Sequence, residues 1–76
     1  MNYLVKWPVR EIFALLVHVD PDEFKYCYTG KSNFTRHIGD LKAFVSRASS
    51  RDHATVIPTT ASTIDEARSL HPELFI

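Results

Sequence analysis

The sequence predicts a small α+β domain in which a small antiparallel sheet packs with one or two helices. Three observations predict it. An aliphatic run is joined by an acidic, Pro-containing turn to an alternating aromatic run; an apolar series at helical spacing follows; and a capping-box motif lies near the C-terminal end.

The first element expected is a strand over Tyr3 to Trp7, ended by Pro8, which cannot donate to a sheet ladder. Ile12 to Val19 is dense in β-branched and aliphatic residues, and Asp20-Pro21-Asp22-Glu23 separates it from the run Phe24 to Gly30. This reads as strand, turn, strand, a hairpin over about residues 12–29 with one or two further strands beside it. With a four-residue loop, Val19 faces Phe24, Val17 faces Tyr26 and Leu15 faces Tyr28, which with Phe13 makes one apolar core face. Ile12, Ala14, Leu16 and His18 would then share the opposite face with Lys25, Cys27 and Thr29. That face is too apolar to be left in water, so something should cover it. Val9, Ile12, Phe13, Leu16 and Val17 also fit helical spacing after Pro8, so a helix is the rival reading of this segment.

From Asn33 to Ala48, Phe34, Ile38, Leu41, Val45 and Ala48 recur at helical spacing, with Ser32 or Asn33 as a cap and Gly39 as a weak point. The alternative there is an irregular segment with Ala43 to Val45 extended, followed by a short helix near Ser49 to Ala54. A strand is expected over His53 to Ile57, ended by Pro58. Thr63-Ile64-Asp65-Glu66 has the capping-box form, in which the hydroxyl and the carboxylate each satisfy an end amide. A helix from about Ile64 to His71 should follow, with Ile64, Ala67 and Leu70 or His71 turned inward and Pro72 at its end.

The 76 residues leave room for one core and so for a single domain over 1–76. A content of 45% hydrophobic and 12% aromatic residues sets the chain apart from disordered sequences. Domains this short often need a supplement such as disulfides, a metal or self-association. An internal disulfide is ruled out, because Cys27 is the single cysteine. A lone thiol fits a reducing compartment, and the first residues lack the pattern of a secretion signal, so a cytoplasmic protein with no membrane segment is expected. Asn33-Phe34-Thr35 has the form of a glycosylation acceptor but no secretory route to use it.

Nine basic and nine acidic residues give zero formal charge and no long-range field toward nucleic acid. The distribution is uneven. Residues 24–54 hold Lys25, Lys31, Arg36, Lys42, Arg47 and Arg51 against Asp40 and Asp52.

No catalytic, cofactor or metal site is expected. Gly30-Lys31-Ser32 imitates the end of a phosphate-binding loop, but that motif needs glycine five residues earlier, where Lys25 stands. His18 and Cys27 could lie diagonally on one sheet face as a nucleophile pair, yet no third group is evident to orient the imidazole. His37, His53 and His71 have no ligand-like spacing. Asp20, Asp22 and Glu23 form an acidic hairpin tip, able to solvate the turn or to meet a basic partner. Lys31, Arg36, Lys42, Arg47 and Arg51, near Tyr26, Tyr28 and Phe34, form a candidate electrostatic surface for single-stranded nucleic acid.

Tyr26-Cys27-Tyr28-Thr29-Gly30-Lys31, then Phe34-Thr35, Ile38, Leu41 and Phe44, resembles a pattern in short uncharacterised proteins of phages and prophages. In them a strand ending Y-T-G-K precedes F-T-x-x-I-x-x-A-x-x-F, with alanine where this chain has Leu41. The resemblance spans about residues 24–54 and implies a small accessory protein that blocks a larger host complex by surface contact, as anti-CRISPR inhibitors do.

The expected function is therefore a non-enzymatic protein-binding module, with a homodimer through Ile12, Ala14, Leu16 and Cys27 as one form. The alternative is a nucleic-acid-binding accessory protein that uses the basic middle.

Overall fold

A computed structural model describes residues 1–8, 13–31 and 33–75. Its strands are β1 (Asn2–Lys6), β2 (Phe13–Asp20), β3 (Glu23–Tyr28), β4 (Thr35–Ile38) and β5 (Thr55–Thr59). Helix α1 (Leu41–Arg51) joins β4 to β5; α2 (Ile64–Leu70) and a 3-10 turn (Pro72–Phe75) close the chain. The strands form one antiparallel sheet in the order β4-β3-β2-β1-β5. The α+β class holds, with three strands beside the hairpin rather than one or two.

The hairpin register differs from the expected one by one residue. Leu16 pairs with Tyr26, Leu15 with Cys27 and His18 with Phe24, whereas Asp20 pairs with Glu23. Val19 is the extra residue, a β-bulge that a loop count starting from the turn does not see. Because side chains alternate along a strand, this one-residue slip exchanges the two faces of β3 relative to β2.

Both faces of the sheet are covered by the chain itself. On one, Val5, Ala14, Leu16 and Phe24 pack against Leu41 and Ala48 of α1, with Phe44, Val45 and Val56 around them. On the other, Leu4, Leu15 and Val17 pack against Ala61 and Ala67, with Phe34, Ile64, Leu74 and Phe75 completing the layer. Phe13 stacks on Phe75 at 5.0 Å between ring centroids. The cover expected over the face of Ala14 and Leu16 is thus supplied by α1, while α2 and the 3-10 turn close the face of Leu15 and Val17, in a helix–sheet–helix sandwich.

Residues 33–48 divide where the sequence reading makes one helix. Thr35 to Ile38 joins the sheet beside β3, and the helix begins only at Leu41. Asp40 caps α1, its side chain accepting from the Lys42 N–H at 3.0 Å, which fixes the start that helical spacing places at Ser32 or Asn33. Ala43 to Val45, extended in the alternative reading, lie within α1. At the other end of α1, the N–H groups of Asp52 and Ala54 both donate to the Ala48 carbonyl. His53 between them adopts a left-handed backbone, φ 56°.

The C-terminal helix starts where expected, but only the hydroxyl half of the capping box bonds an end amide, the Glu66 carboxylate accepting instead from the Ser62 and Thr63 hydroxyls. Thr63 Oγ1 accepts from the Glu66 N–H at 3.1 Å and lies 3.4 Å from the Glu66 carboxylate. Ala67 is buried and Leu70 is exposed, and His71 takes the inward position, its Nε2 2.9 Å from Thr59 Oγ1. Pro58 lies inside β5 instead of ending it, which the sheet tolerates because β5 is an edge strand. Asn2 ties β1 to its surroundings, accepting from the His18 N–H and donating to the Ala61 carbonyl.

Candidate functional site

The register decides what each candidate residue can do. Ala14 and Leu16 lie beneath α1, each 1% exposed, while Cys27 faces the opposite layer at 2%. They form no common surface, because the bulge at Val19 places Cys27 with Leu15 on the α2 side. Ile12, the remaining member of that set, lies outside the described residues.

The same slip separates His18 from Cys27, which stand on opposite faces. The Cys27 thiol donates to the Lys31 carbonyl at 3.3 Å, and burial pushes its pKa up, away from a reactive thiolate. Among the described residues no three His, Cys, Asp or Glu side chains gather as metal ligands, and no helix is long and apolar enough to cross a membrane.

The acidic tip is a true hairpin turn, with Asp20 and Asp22 exposed. Glu23 belongs elsewhere. Its carboxylate accepts two hydrogen bonds from Arg36, Nε to Oε2 at 2.9 Å and Nη2 to Oε1 at 2.7 Å. Those bonds, more than the guanidinium charge, hold the Glu23 pKa below the usual carboxylate range against the opposing effect of desolvation. Arg36 is correspondingly held up, first by the same bonds.

The basic residues do not gather into one patch. Arg36 and Lys25 lie on the α2 face of the sheet, where the Lys25 ammonium sits 5.0 Å from the Phe34 ring centroid. Arg47 and Arg51 follow Phe44 by three and seven positions, on the side of α1 that turns toward β3 and β4. Lys42 falls on the other side of that helix, and Lys31 projects from the turn after β3.

Beyond Phe44 the α1 face of the sheet is only partly covered, and aromatic rings fill the gap. Trp7 and Tyr28 lie 6.5 Å apart, Tyr28 and Tyr26 5.6 Å, Tyr26 and His37 6.5 Å, and His37 reaches Phe24 at 4.9 Å. Phe24 is buried and roots the row, whereas His37 is exposed and Tyr28 is 42% exposed. Trp7 also points its Nε1–H at Asp52, 3.3 Å away. The row runs from the end of α1 across the sheet to β4, whose four residues are all exposed.

The spacing of Tyr26 and Tyr28 already marks two rings on one strand face. The parts of Trp7 and His37 could not be read, because the first depends on β1 lying beside β2 and the second falls in a segment with helical spacing. No family model, curated protein or solved structure matches the chain.

Proposed function

We propose that this chain is a protein-binding module whose contact surface is the aromatic row Trp7, Tyr28, Tyr26 and His37. The row itself carries the reading: tyrosine, tryptophan and arginine are the residues that dominate binding energy at protein interfaces, and here they stand half-exposed on a rigid sheet. The zero formal charge favours a protein over a polyanion, and Glu23 already neutralises Arg36. Binding at this surface would act by occluding the partner, in keeping with the resemblance to phage accessory proteins.

A second reading rests on helical spacing: Arg47 and Arg51 stand three and seven positions after Phe44, whose ring packs on Phe24 and His37 at the end of the row. Rings with cations beside them can stack and neutralise single-stranded nucleic acid.

One comparison separates the two. Wild-type protein and a Tyr26→Ala/Tyr28→Ala variant with the same circular dichroism are immobilised and exposed to bacterial lysate, and both are titrated with fluorescent oligo-dT at low salt. A protein retained by wild type and lost by the variant supports the module. Identical retention by both removes this surface from consideration, and salt-sensitive oligo-dT binding lost in the variant replaces the first reading with the second.

A further inference from the structure

The two edges of the sheet are unequal. β5 contains Pro58, which has no N–H to offer another strand, and the groove beside it is lined by Met1, Leu70 and His71. β4 carries no proline and no bulge, no element among the described residues covers its outer edge, and Ile38 on it is 70% exposed. One edge is closed to pairing and the other open.

The ladder fixes which groups the open edge presents. The Gly39 N–H donates to the Asp22 carbonyl at 2.7 Å, in register with the pairs Phe24–His37 and Tyr26–Thr35. Antiparallel bonds alternate, so Thr35 and His37 direct their N–H and C=O groups to β3, while Arg36 and Ile38 direct theirs outward.

We infer that β4 pairs with β4 of a second copy of this chain, antiparallel about a two-fold axis at His37, to make a continuous ten-stranded sheet. In that register Arg36 of each copy lies opposite Ile38 of the other, and these two residues exchange four backbone hydrogen bonds. Centring the pair on Arg36 would set two guanidinium groups against each other. The His37-centred register instead places Lys25 and Arg36 of one copy in the same cross-strand row as Glu23 of the other, cations in line with an anion. It also covers the exposed Ile38 side chain with the stem of Arg36. Because Pro58 blocks the far edge, the pairing closes at two copies and does not propagate into a filament. The two aromatic rows then meet at His37. The inference goes beyond the binding reading and is tested without any partner.

Sedimentation equilibrium from about 5 to 300 μM should show a species of twice the 8.7 kDa chain mass. A His37→Cys variant should form an interchain disulfide under mild oxidation, since the two Cα atoms at the axis lie about 4.5 Å apart in a non-hydrogen-bonded pair. Thr35→Cys, displaced from the axis, should not. Ile38→Pro removes one outward donor per copy and should weaken association about tenfold relative to Ile38→Ala. A monomer throughout the concentration range overturns the proposal. So does a dimer that cross-links through Thr35→Cys in place of His37→Cys, or one that Ile38→Pro leaves unchanged.

Discussion

Arg36 grips Glu23 across the β3–β4 ladder, two hydrogen bonds joining diagonal neighbours on the α2 face of the sheet. β4 has only four residues and packs little apolar surface, so this fork is a main side-chain tie holding it in place. The Glu23 pKa is lowered in the folded chain, so the stabilisation is complete above the unfolded-state pKa and is lost as pH falls through the folded value. Protection of the Thr35 and His37 amides against hydrogen exchange should therefore fall between about pH 5 and pH 3, beyond the intrinsic pH effect on exchange. Glu23→Gln should remove most of that dependence; an unchanged profile would mean that the fork does not hold the strand.

Cys27 offers a second test. The thiol is buried between sheet and α2 layer, and desolvation raises its pKa. At pH 7.5 the folded protein should react with an aromatic disulfide reagent at least about tenfold more slowly than the chain in denaturant. Rapid labelling of the folded protein would show that the pocket around Phe34 and Lys31 opens readily.

The physical reasons for what could and could not be read from sequence lie in range. The Thr63 cap and the strand content of the hairpin depend on residues within a few positions of one another, and both were legible. The bulge at Val19 depends on how the strand meets its partners, and no local spacing marks it. Its effect was large, because one residue of register decides whether Cys27 joins Leu16 or Leu15. β4 was hidden for a different reason. Phe34, Ile38 and Leu41 fit a helix by spacing, but Phe34 packs under the α2 layer, Ile38 stays exposed and only Leu41 enters the core beneath α1. The aromatic row inherits both difficulties.

His53 sits past the end of α1 with φ 56°, a conformation that costs a residue bearing Cβ roughly 1–2 kcal/mol and glycine almost nothing. Glycine loses more backbone freedom on folding, which offsets part of the gain. His53→Gly should therefore stabilise the protein by about 0.5–1 kcal/mol, read as a higher urea midpoint at unchanged slope. A lower midpoint would indicate that the imidazole makes a contact worth more than the strain.

Leu15 and Leu16 are neighbours in β2 that point into different layers, Leu15 toward Ala61 and Ala67 and Leu16 toward Leu41 and Ala48. Each is almost completely buried. If the chain seals both faces by itself, truncating either residue creates a cavity between sheet and helix, and each Leu→Ala change should cost about 2–5 kcal/mol. A domain of this size has little reserve, so both variants should show much lower urea midpoints or be largely unfolded at 25 °C. The milder changes Leu15→Val and Leu16→Val should keep the fold and still lower the midpoint. A large loss at one position with none at the other would show that one helical layer is not seated on the sheet in solution. Loss at both, with association through β4 retained in the valine variants, would separate the closed two-sided core from the open edge, since neither leucine reaches β4.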